Sequence, residues 1–331
     1  MKSNVPAPLS SSSYHPPRFL RTGHSQTIFP SIFRIIHGVS YQRERIETDD
    51  DDFLDLDWLK CSPRSRSLVV LCHGLEGNSS RTYMRGMARA ANQERMDALA
   101  WNYRSCSETM NRQLRFYHNG ATDDLQRVLQ HADRTGEYSR IVLIGFSLGG
   151  NLILNYLARH RDHLPHGLTG AVLFSVPLHL ASSADALARP SNRIYMKRFL
   201  KDLKKKIIAR EKQFPGRISS SGYHEIQSFR QFDDRYTAPI HGFKDAEDYW
   251  QQCSGLYALP RIPLPTLIVN AKNDPFLCPE SFPDTDEIRN PLVTLWTPTN
   301  GGHCGFPGFQ RNGRYWSEDI AFLLLQPPPA Q

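Results

Sequence analysis

The residues of this chain that most clearly suggest chemistry are 145–149 (Gly-Phe-Ser-Leu-Gly), a serine flanked by glycines in a G-x-S-x-G pattern. The apolar, β-prone residues 141–144 precede the pattern, and residues 150–158 follow it with apolar side chains at helical spacing. A strand, a glycine-flanked serine and a helix in this order are typical of a nucleophile elbow, which lifts the serine hydroxyl above a sheet at a helix N-terminus. We therefore expect Ser147 to attack an acyl carbon.

Two further polar residues stand where the partners of a serine nucleophile would lie. A serine hydroxyl is a weak nucleophile at neutral pH and needs a base, which an acid must orient. Residues 266–271 predict a buried strand that Asp274 follows, and residues 292–296 predict the next strand, which His303 follows in a glycine-rich loop. A turn-forming Asp-Pro pair and a solvated loop histidine would explain each residue alone. Together they predict that His303 takes the Ser147 proton while Asp274 orients the ring.

A second turn could hold the negative charge that develops during acyl transfer. Residues 68–72 predict a buried strand that ends at His73 and Gly74. A loop of this kind can place a backbone donor opposite the nucleophile. We expect the N–H groups of Leu75 and Leu148 to form an oxyanion hole, and a plain strand-to-helix turn is the alternative.

Three side chains near these loops are candidates for a substrate pocket. Glu76 and Arg104 follow predicted strands at the carboxyl edge of the sheet, where ligands bind in open α/β proteins. They would either hold a polar part of the substrate or pair with each other. Phe146, with Phe276 and Phe306, predicts either an apolar acyl pocket or ordinary core packing.

The composition favours a cytoplasmic protein and gives little support for nucleic-acid binding. The 331 residues can bury a large core in one α/β domain with an insertion. No apolar run approaches the ~20 residues of a membrane-spanning helix, and the net charge of +7 comes without a basic patch interleaved with aromatic residues. Six cysteines without a C-x-x-C pair favour a reducing compartment. Cys304 is a weaker candidate for a redox or metal-binding residue, because no cluster with zinc spacing surrounds it.

These motifs resemble those of the α/β-hydrolase superfamily, and more narrowly its YheT-like esterase branch, which is related to eukaryotic abhydrolase-domain proteins. The similarity extends over residues 18–325 and is carried by segments 23–27, 73–77, 102–107, 117–124 and 145–151. One departure is Ser105, where the family more often has glycine. The resemblance implies hydrolysis of carboxylic esters without a cofactor.

The chain is expected to form a mostly parallel central sheet with helices on both faces and a helical lid. Residues 1–17 are predicted to be a disordered lead-in, and they lack the apolar stretch of a secretory signal. The α/β domain is predicted to begin with residues 18–176, which include an N-terminal extension, and to end with residues 261–325. The helical lid is predicted at residues 177–260, between these two parts.

Residues 195–212 predict a basic amphipathic helix within this lid. Phe199, Leu203 and Ile207 are spaced four residues apart, and lysines and arginines occupy most of the other positions. Such a helix either covers the pocket with its apolar face or docks on an anionic membrane surface. We favour the first of these interpretations.

The sequence thus predicts a serine hydrolase that cleaves small-molecule esters with an apolar acyl group. A phospholipid or acylglycerol lipase and a thioesterase would use the same triad. His118 and Asp123 fit an H-x4-D spacing found in some acyltransferases, although capping of the following helix also explains them. A hydrolase-like binding module without catalysis is the alternative from another class, and the sequence leaves the oligomeric state open.

Overall fold

A single sheet of eight strands organises the part of the chain that the computed structural model describes, residues 14–135, 137–309 and 312–323. The strands are β1 (Gln42–Thr48), β2 (Asp52–Leu59), β3 (Ser67–Cys72), β4 (Asp97–Asn102), β5 (Arg140–Phe146), β6 (Leu168–Phe174), β7 (Thr266–Val269) and β8 (Val293–Trp296). Their spatial order is β1-β2-β4-β3-β5-β6-β7-β8. The β1–β2 and β2–β4 pairs are antiparallel and the other neighbouring pairs are parallel.

Helices cover both faces of the sheet, which explains why the central strands are apolar throughout. The helices are α1 (Gly23–Phe33), α2 (Thr82–Gln93), α3 (Thr122–Arg134), α4 (Leu148–Arg159), α5 (Leu180–Ala188), α6 (Arg193–Gln213), α7 (Phe229–Phe232), α8 (Ala238–His241), α9 (Ala246–Cys253), α10 (Thr285–Ile288) and α11 (Trp316–Leu323). Side chains of α3 and α4 pack on one face, and those of α2 and α11 pack on the other. The predicted fold class is confirmed.

The chain between β6 and β7 leaves the sheet and forms a separate helical layer. Helices α5 to α9, with a π-helical turn at Asp233–Thr237, build their own apolar cluster. Phe276, which lies beyond β7, joins that cluster and links it to the loop that carries Asp274. We call residues 177–260 the lid segment.

The N-terminal extension packs against the sheet rather than away from it. The Tyr14 hydroxyl donates to the Pro307 carbonyl at 2.9 Å, and the Tyr14 side chain is buried. Disorder was predicted for residues 1–17, but Tyr14 is ordered against Pro307. Residues 1–13 lie outside the described residues. Helix α1 begins with a capping box in which Thr22 and Ser25 satisfy each other's backbone N–H groups.

Arg104 is a structural residue and does not line either cavity described below, contrary to the prediction. Its guanidinium is buried and donates to Asp52 at 2.8 Å and to Asp124 at 2.7 Å, and it also contacts Asp50 at 3.0 Å. These bonds join β2 and α3 to the loop after β4. The next residue, Ser105, has φ of 60°, a conformation that favours glycine and accounts for the glycine expected at this position.

Replacing Arg104 with methionine should lower the free energy of unfolding by about 3–5 kcal/mol, because Asp52 and Asp124 would remain buried without their cation. Urea unfolding followed by circular dichroism measures this change. Arg112→Met is the control, since Arg112 forms an exposed pair with Glu47, and its unfolding midpoint should stay near that of the native chain. Equal effects of the two substitutions would contradict the structural role of Arg104.

Candidate active site

Ser147 lies at a sharp turn between β5 and α4. Its backbone has φ of 54° and ψ of −120°, a strained conformation for a residue with a side chain. The Ser147 N–H donates to the Phe174 carbonyl on β6 at 2.9 Å, which fixes the turn to the sheet. A Cβ at Gly149 would overlap the carbonyl oxygen of Cys72, so only glycine lets the turn approach β3 this closely. The geometry is that of a nucleophile elbow.

Asp274 and His303 form a hydrogen-bonded pair at the carboxyl edge of the sheet. Asp274 Oδ2 lies 2.9 Å from His303 Nδ1, and the Asp274 carboxylate is fully buried. Asp274 Oδ1 also accepts from the Phe276 N–H at 2.9 Å, and the Phe276 ring lies against the imidazole with ring centroids 4.1 Å apart. These contacts fix the orientation of the ring and direct Nε2 away from Asp274.

The structure places Ser147 and His303 on the wall of one cavity. No hydrogen bond joins the Ser147 hydroxyl to His303 within the described ranges of the chain. Catalytic hydrogen bonds are often long before a substrate binds. The predicted order of attack therefore requires a closer approach of these two side chains in the substrate complex.

The surroundings of His303 favour its charged form. Burial opposes a positive charge, but the Asp274 carboxylate and the Cys304 side chain outweigh burial and raise the pKa of His303 to about 10. A pair of this kind stabilises the imidazolium that forms when the base accepts a proton. The same attraction holds the His303 imidazole protonated to higher pH than an ordinary histidine.

Helix α1 positions the loops that carry Asp274 and His303. Gln26 Oε1 accepts from the Gly301 N–H at 2.7 Å and from Asn273 Nδ2 at 3.0 Å. Thr27 Oγ1 accepts from the His303 N–H at 2.8 Å. This role of residues 23–27 was not predictable from their sequence, because polar residues on a short helix do not reveal their distant partners.

The loop after β3 leaves one backbone donor next to Ser147. The Gly74 N–H donates to the Tyr83 hydroxyl at 3.1 Å, and the Glu76 N–H donates to the Tyr117 hydroxyl at 2.8 Å. Between them, the Leu75 N–H has no partner among the residues that the structure describes. A Cβ on Gly74 would lie 3.2 Å from Ser147 Cβ, so this loop lies directly against the elbow.

The second predicted donor, the Leu148 N–H, lies in the first turn of α4, where N–H groups have no intrahelical acceptor. His73, two residues before Leu75, is fully buried, and its Nδ1 lies 2.7 Å from the Gly74 carbonyl. Burial lowers the pKa of His73 to about 3, so this histidine stays neutral and shapes the loop.

Glu76 pairs with the lid segment and not with Arg104. Its Oε1 accepts from the Tyr117 hydroxyl and from Lys206 Nζ on α6, both at 2.7 Å. Burial disfavours the Lys206 charge, but Cys106 and Glu76 raise the pKa of its ammonium above the ordinary value. Glu76 has φ of 52° and directly follows Leu75, so this ion pair connects the lid segment to the loop beside Ser147.

Two cavities meet at Ser147. The outer cavity, about 500 Å³, contains Ser147 and His303 and extends between α1 and the start of α6. The inner cavity, about 130 Å³, extends from Ser147 into the lid segment. Its wall is mostly apolar and includes Leu180, Leu187, Leu203, Ile207, Phe229 and Trp250.

Of the three aromatic residues predicted near the site, two line a cavity. Phe146 lines the outer cavity while packing against Tyr83 and Phe174, and Phe276 lines both cavities. Phe306 lines neither cavity and lies fully buried in the core on the side of α2 and α11. Apolar residues after a strand could not be divided between core and pocket from the sequence.

The two residues of the H-x4-D spacing do not pair with each other. His118 lines the inner cavity and its Nδ1 accepts from the Gly120 N–H at 3.1 Å, whereas Asp123 pairs with Arg115 at 2.8 Å. Cys304 lines the outer cavity. Within the described ranges, no three histidine, cysteine, aspartate or glutamate side chains are placed to hold a metal ion.

Comparison with known proteins places these features in a family. A family model described as alpha/beta hydrolase fold matches residues 67–308. "Putative esterase YheT" of Escherichia coli (strain K12) is 33% identical over 303 residues, which cover 90% of this chain and 88% of that protein. "Phospholipase ABHD3" of Mus musculus is 27% identical over 307 residues, which cover 90% of this chain and 74% of that protein.

Among solved structures, the Pyrococcus furiosus esterase Pf2001 shares the fold with a TM-score of 0.57 and 17% identity, over 88% of this chain and 97% of that chain. The predicted resemblance to YheT-like and abhydrolase-domain proteins is confirmed. From its sheet, its elbow and the match over residues 67–308, the chain belongs to the α/β-hydrolase family.

Proposed function

We propose that the chain is a serine hydrolase that cleaves carboxylic esters, with Ser147 as nucleophile, His303 as base and Asp274 as the acid that orients it. The observation that carries this proposal is the elbow serine on the same cavity wall as the hydrogen-bonded pair of His303 and Asp274. The esterase and phospholipase names of its relatives support the reaction class.

In the proposed reaction, Ser147 Oγ bonds to the ester carbon as its proton passes to His303 Nε2. The carbonyl oxygen becomes an oxyanion and accepts hydrogen bonds from the Leu75 and Leu148 N–H groups. The ester C–O bond then breaks, and the leaving alkoxide takes the proton from His303. Water repeats the sequence on the acyl-enzyme, releasing the carboxylic acid and restoring Ser147. No cofactor takes part in these steps.

The two cavities suggest how an ester would be divided. The apolar inner cavity suits the acyl chain, and the wider outer cavity suits the alcohol group. The outer wall carries Arg81 and Arg198, which form no ion pair within the described residues. A phospholipid, whose alcohol carries a phosphate, is therefore the second candidate substrate class.

We also propose a reducing, cytoplasmic setting, because all six cysteines are free thiols.

Ser147→Ala should abolish hydrolysis of p-nitrophenyl esters and labelling by a fluorophosphonate, because no other residue would form the acyl-enzyme. The loss in kcat should be about 10⁴-fold or more. An ester series from acetate to palmitate and mass spectrometry of the labelled protein measure both effects. Ser221→Ala, at an exposed serine in the lid segment, should retain both properties. Labelling that persists in folded Ser147→Ala would contradict the proposal.

The rate should rise with pH through the pKa of His303, since only the neutral imidazole accepts the serine proton. The acid limb of kcat/KM should therefore lie above the ordinary histidine pKa of 6.5. Asp274→Asn should move that limb to lower pH, because it removes the charge that raises the pKa. Rate profiles and NMR titration of the His303 imidazole measure the shift. An acid limb that is unchanged in Asp274→Asn would refute the assignment of Asp274 as the carboxylate that orients His303 and raises its pKa.

Enlarging the side chain at Ile207 should shorten the acyl chains that the enzyme accepts. Ile207 is fully buried on α6 and lines the inner cavity. In Ile207→Phe, each methylene that no longer fits should lower kcat/KM about fourfold, the equivalent of about 0.8 kcal/mol of lost burial. Ile208→Phe, one position along and outside the cavity wall, is the matched control. An unchanged chain-length profile in Ile207→Phe would place the acyl chain elsewhere.

A further inference from the structure

Helix α1 and its flanks carry an unusual concentration of exposed apolar side chains. Of the eight large apolar side chains that are exposed among the described residues, four lie on α1 or beside it in sequence, one lies at the start of α6 and one lies between β8 and α11, and these six are 64–74% exposed. We call these six the apolar rim: Phe19, Ile32, Phe33, Ile35, Ile194 and Phe309. Phe29 connects several of them, with ring centroids 5.7 Å from Phe19, 5.1 Å from Phe33 and 6.1 Å from Phe309. A contiguous patch of this kind marks an interaction surface.

The apolar rim borders the mouth of the outer cavity. Ile32 on α1 and Ile194 at the start of α6 both line that cavity, together with Ser147 and His303. His24 Nδ1 and the Tyr195 hydroxyl lie 3.1 Å apart and join α1 to α6 beneath the rim. A surface that covered the rim would therefore also cover the entrance to the candidate active site.

Basic residues surround the apolar rim, and acidic residues are absent from the two segments that form most of it. Residues 14–43 and 186–201 contain no aspartate or glutamate. Their exposed lysines and arginines are Arg18, Arg21, Arg43, Arg189, Arg193, Lys197, Arg198 and Lys201, of which Arg43 pairs with Asp57. Asp202 and Glu318, two carboxylates on the wall of the outer cavity, are already paired, with Lys205 at 2.7 Å and with Arg34 at 2.6 Å.

The rim is not the apolar face of residues 195–212, for which the sequence favoured a pocket-covering role and left membrane docking as the alternative. That face points inward, because Leu200, Leu203 and Ile207 are buried in the lid segment. Only the first residues of α6 contribute to the exposed surface, through Ile194 and the cations that follow it.

We infer that the apolar rim docks on an anionic phospholipid bilayer, with the mouth of the outer cavity facing the lipid. Aromatic and aliphatic side chains surrounded by cations suit the boundary between acyl chains and negatively charged headgroups. A second copy of the chain fits less well, because a symmetric contact through the rim would bring these cations against each other. The inference that the chain docks on a membrane depends only on the apolar rim and its cations. The further step, delivery of a lipid ester to Ser147, rests on the proposed function.

Vesicle flotation tests the docking without turnover when the protein carries Ser147→Ala. The expected result is binding to vesicles of two parts phosphatidylcholine and one part phosphatidylglycerol, weak binding to phosphatidylcholine alone, and release by salt. Absence of binding to the mixed vesicles by folded protein would overturn the inference. Equal binding to both vesicle types would overturn the role of the cations.

Two double variants assign the binding to the rim. Phe33→Glu with Ile35→Glu removes apolar side chains, and Lys197→Glu with Lys201→Glu reverses charges, all at positions outside the cavity walls. Each pair should weaken binding to the mixed vesicles by about tenfold or more. Tyr257→Glu, at a half-exposed aromatic residue outside the rim, is the control and should bind as the parent does. Parental binding by both double variants would refute the inference.

Two further measurements separate this inference from its alternatives. In the chain with Ser147 intact, Phe33→Glu with Ile35→Glu should hydrolyse soluble p-nitrophenyl butyrate at the parental rate, so failure of the proposed hydrolysis is distinguishable from failure of docking. Sedimentation without vesicles should show no association through the rim. A dimer that this double variant dissociates would assign the surface to a second copy and overturn membrane docking.

Discussion

The strained backbone of Ser147 is the constraint on which the candidate site depends. A non-glycine residue at φ of 54° costs of order 1–3 kcal/mol and persists only where its surroundings determine it. Here the N–H bond to Phe174 and the close approach of Gly149 to Cys72 tie the turn to the strands on either side of β5. The parallel strands thus do more than form a core: their carboxyl ends hold one serine in a conformation that exposes its hydroxyl.

Helix α1 connects the candidate active site to the surface, although it lies outside the sheet. Its inner side, through Gln26 and Thr27, holds the loops that contain Asn273, Gly301 and His303. Its outer side carries much of the apolar rim. Contact at the rim would therefore act on a helix that is bonded directly to the backbone of His303. None of the described helices combines the length and apolar character that a membrane span requires.

Much of the fold was predictable because its signals are local. The runs that become β3, β5, β7 and β8 are continuous in sequence, and Leu75, Ser147, Asp274 and His303 each follow one of them. Arg104 was assigned wrongly because its three carboxylate partners come from distant parts of the chain, so nothing near it in the sequence indicates burial. The partner of Glu76 was missed for the same reason, since Lys206 is one of many lysines on α6 and only packing distinguishes it.

The buried ion pair of Glu76 and Lys206 contributes accuracy of position rather than stability. Removing two charges from water is costly, and a buried pair often stabilises a protein no more than an apolar contact of equal size. The pair of Glu76 and Lys206 does what an apolar contact would not. It requires a specific register between α6 and the loop after β3, with the Tyr117 hydroxyl as a third partner. Since Leu75 precedes Glu76, a lid segment in that register fixes the direction of the backbone donor next to Ser147. The polar pair therefore contributes positional accuracy at the site where the oxyanion would form.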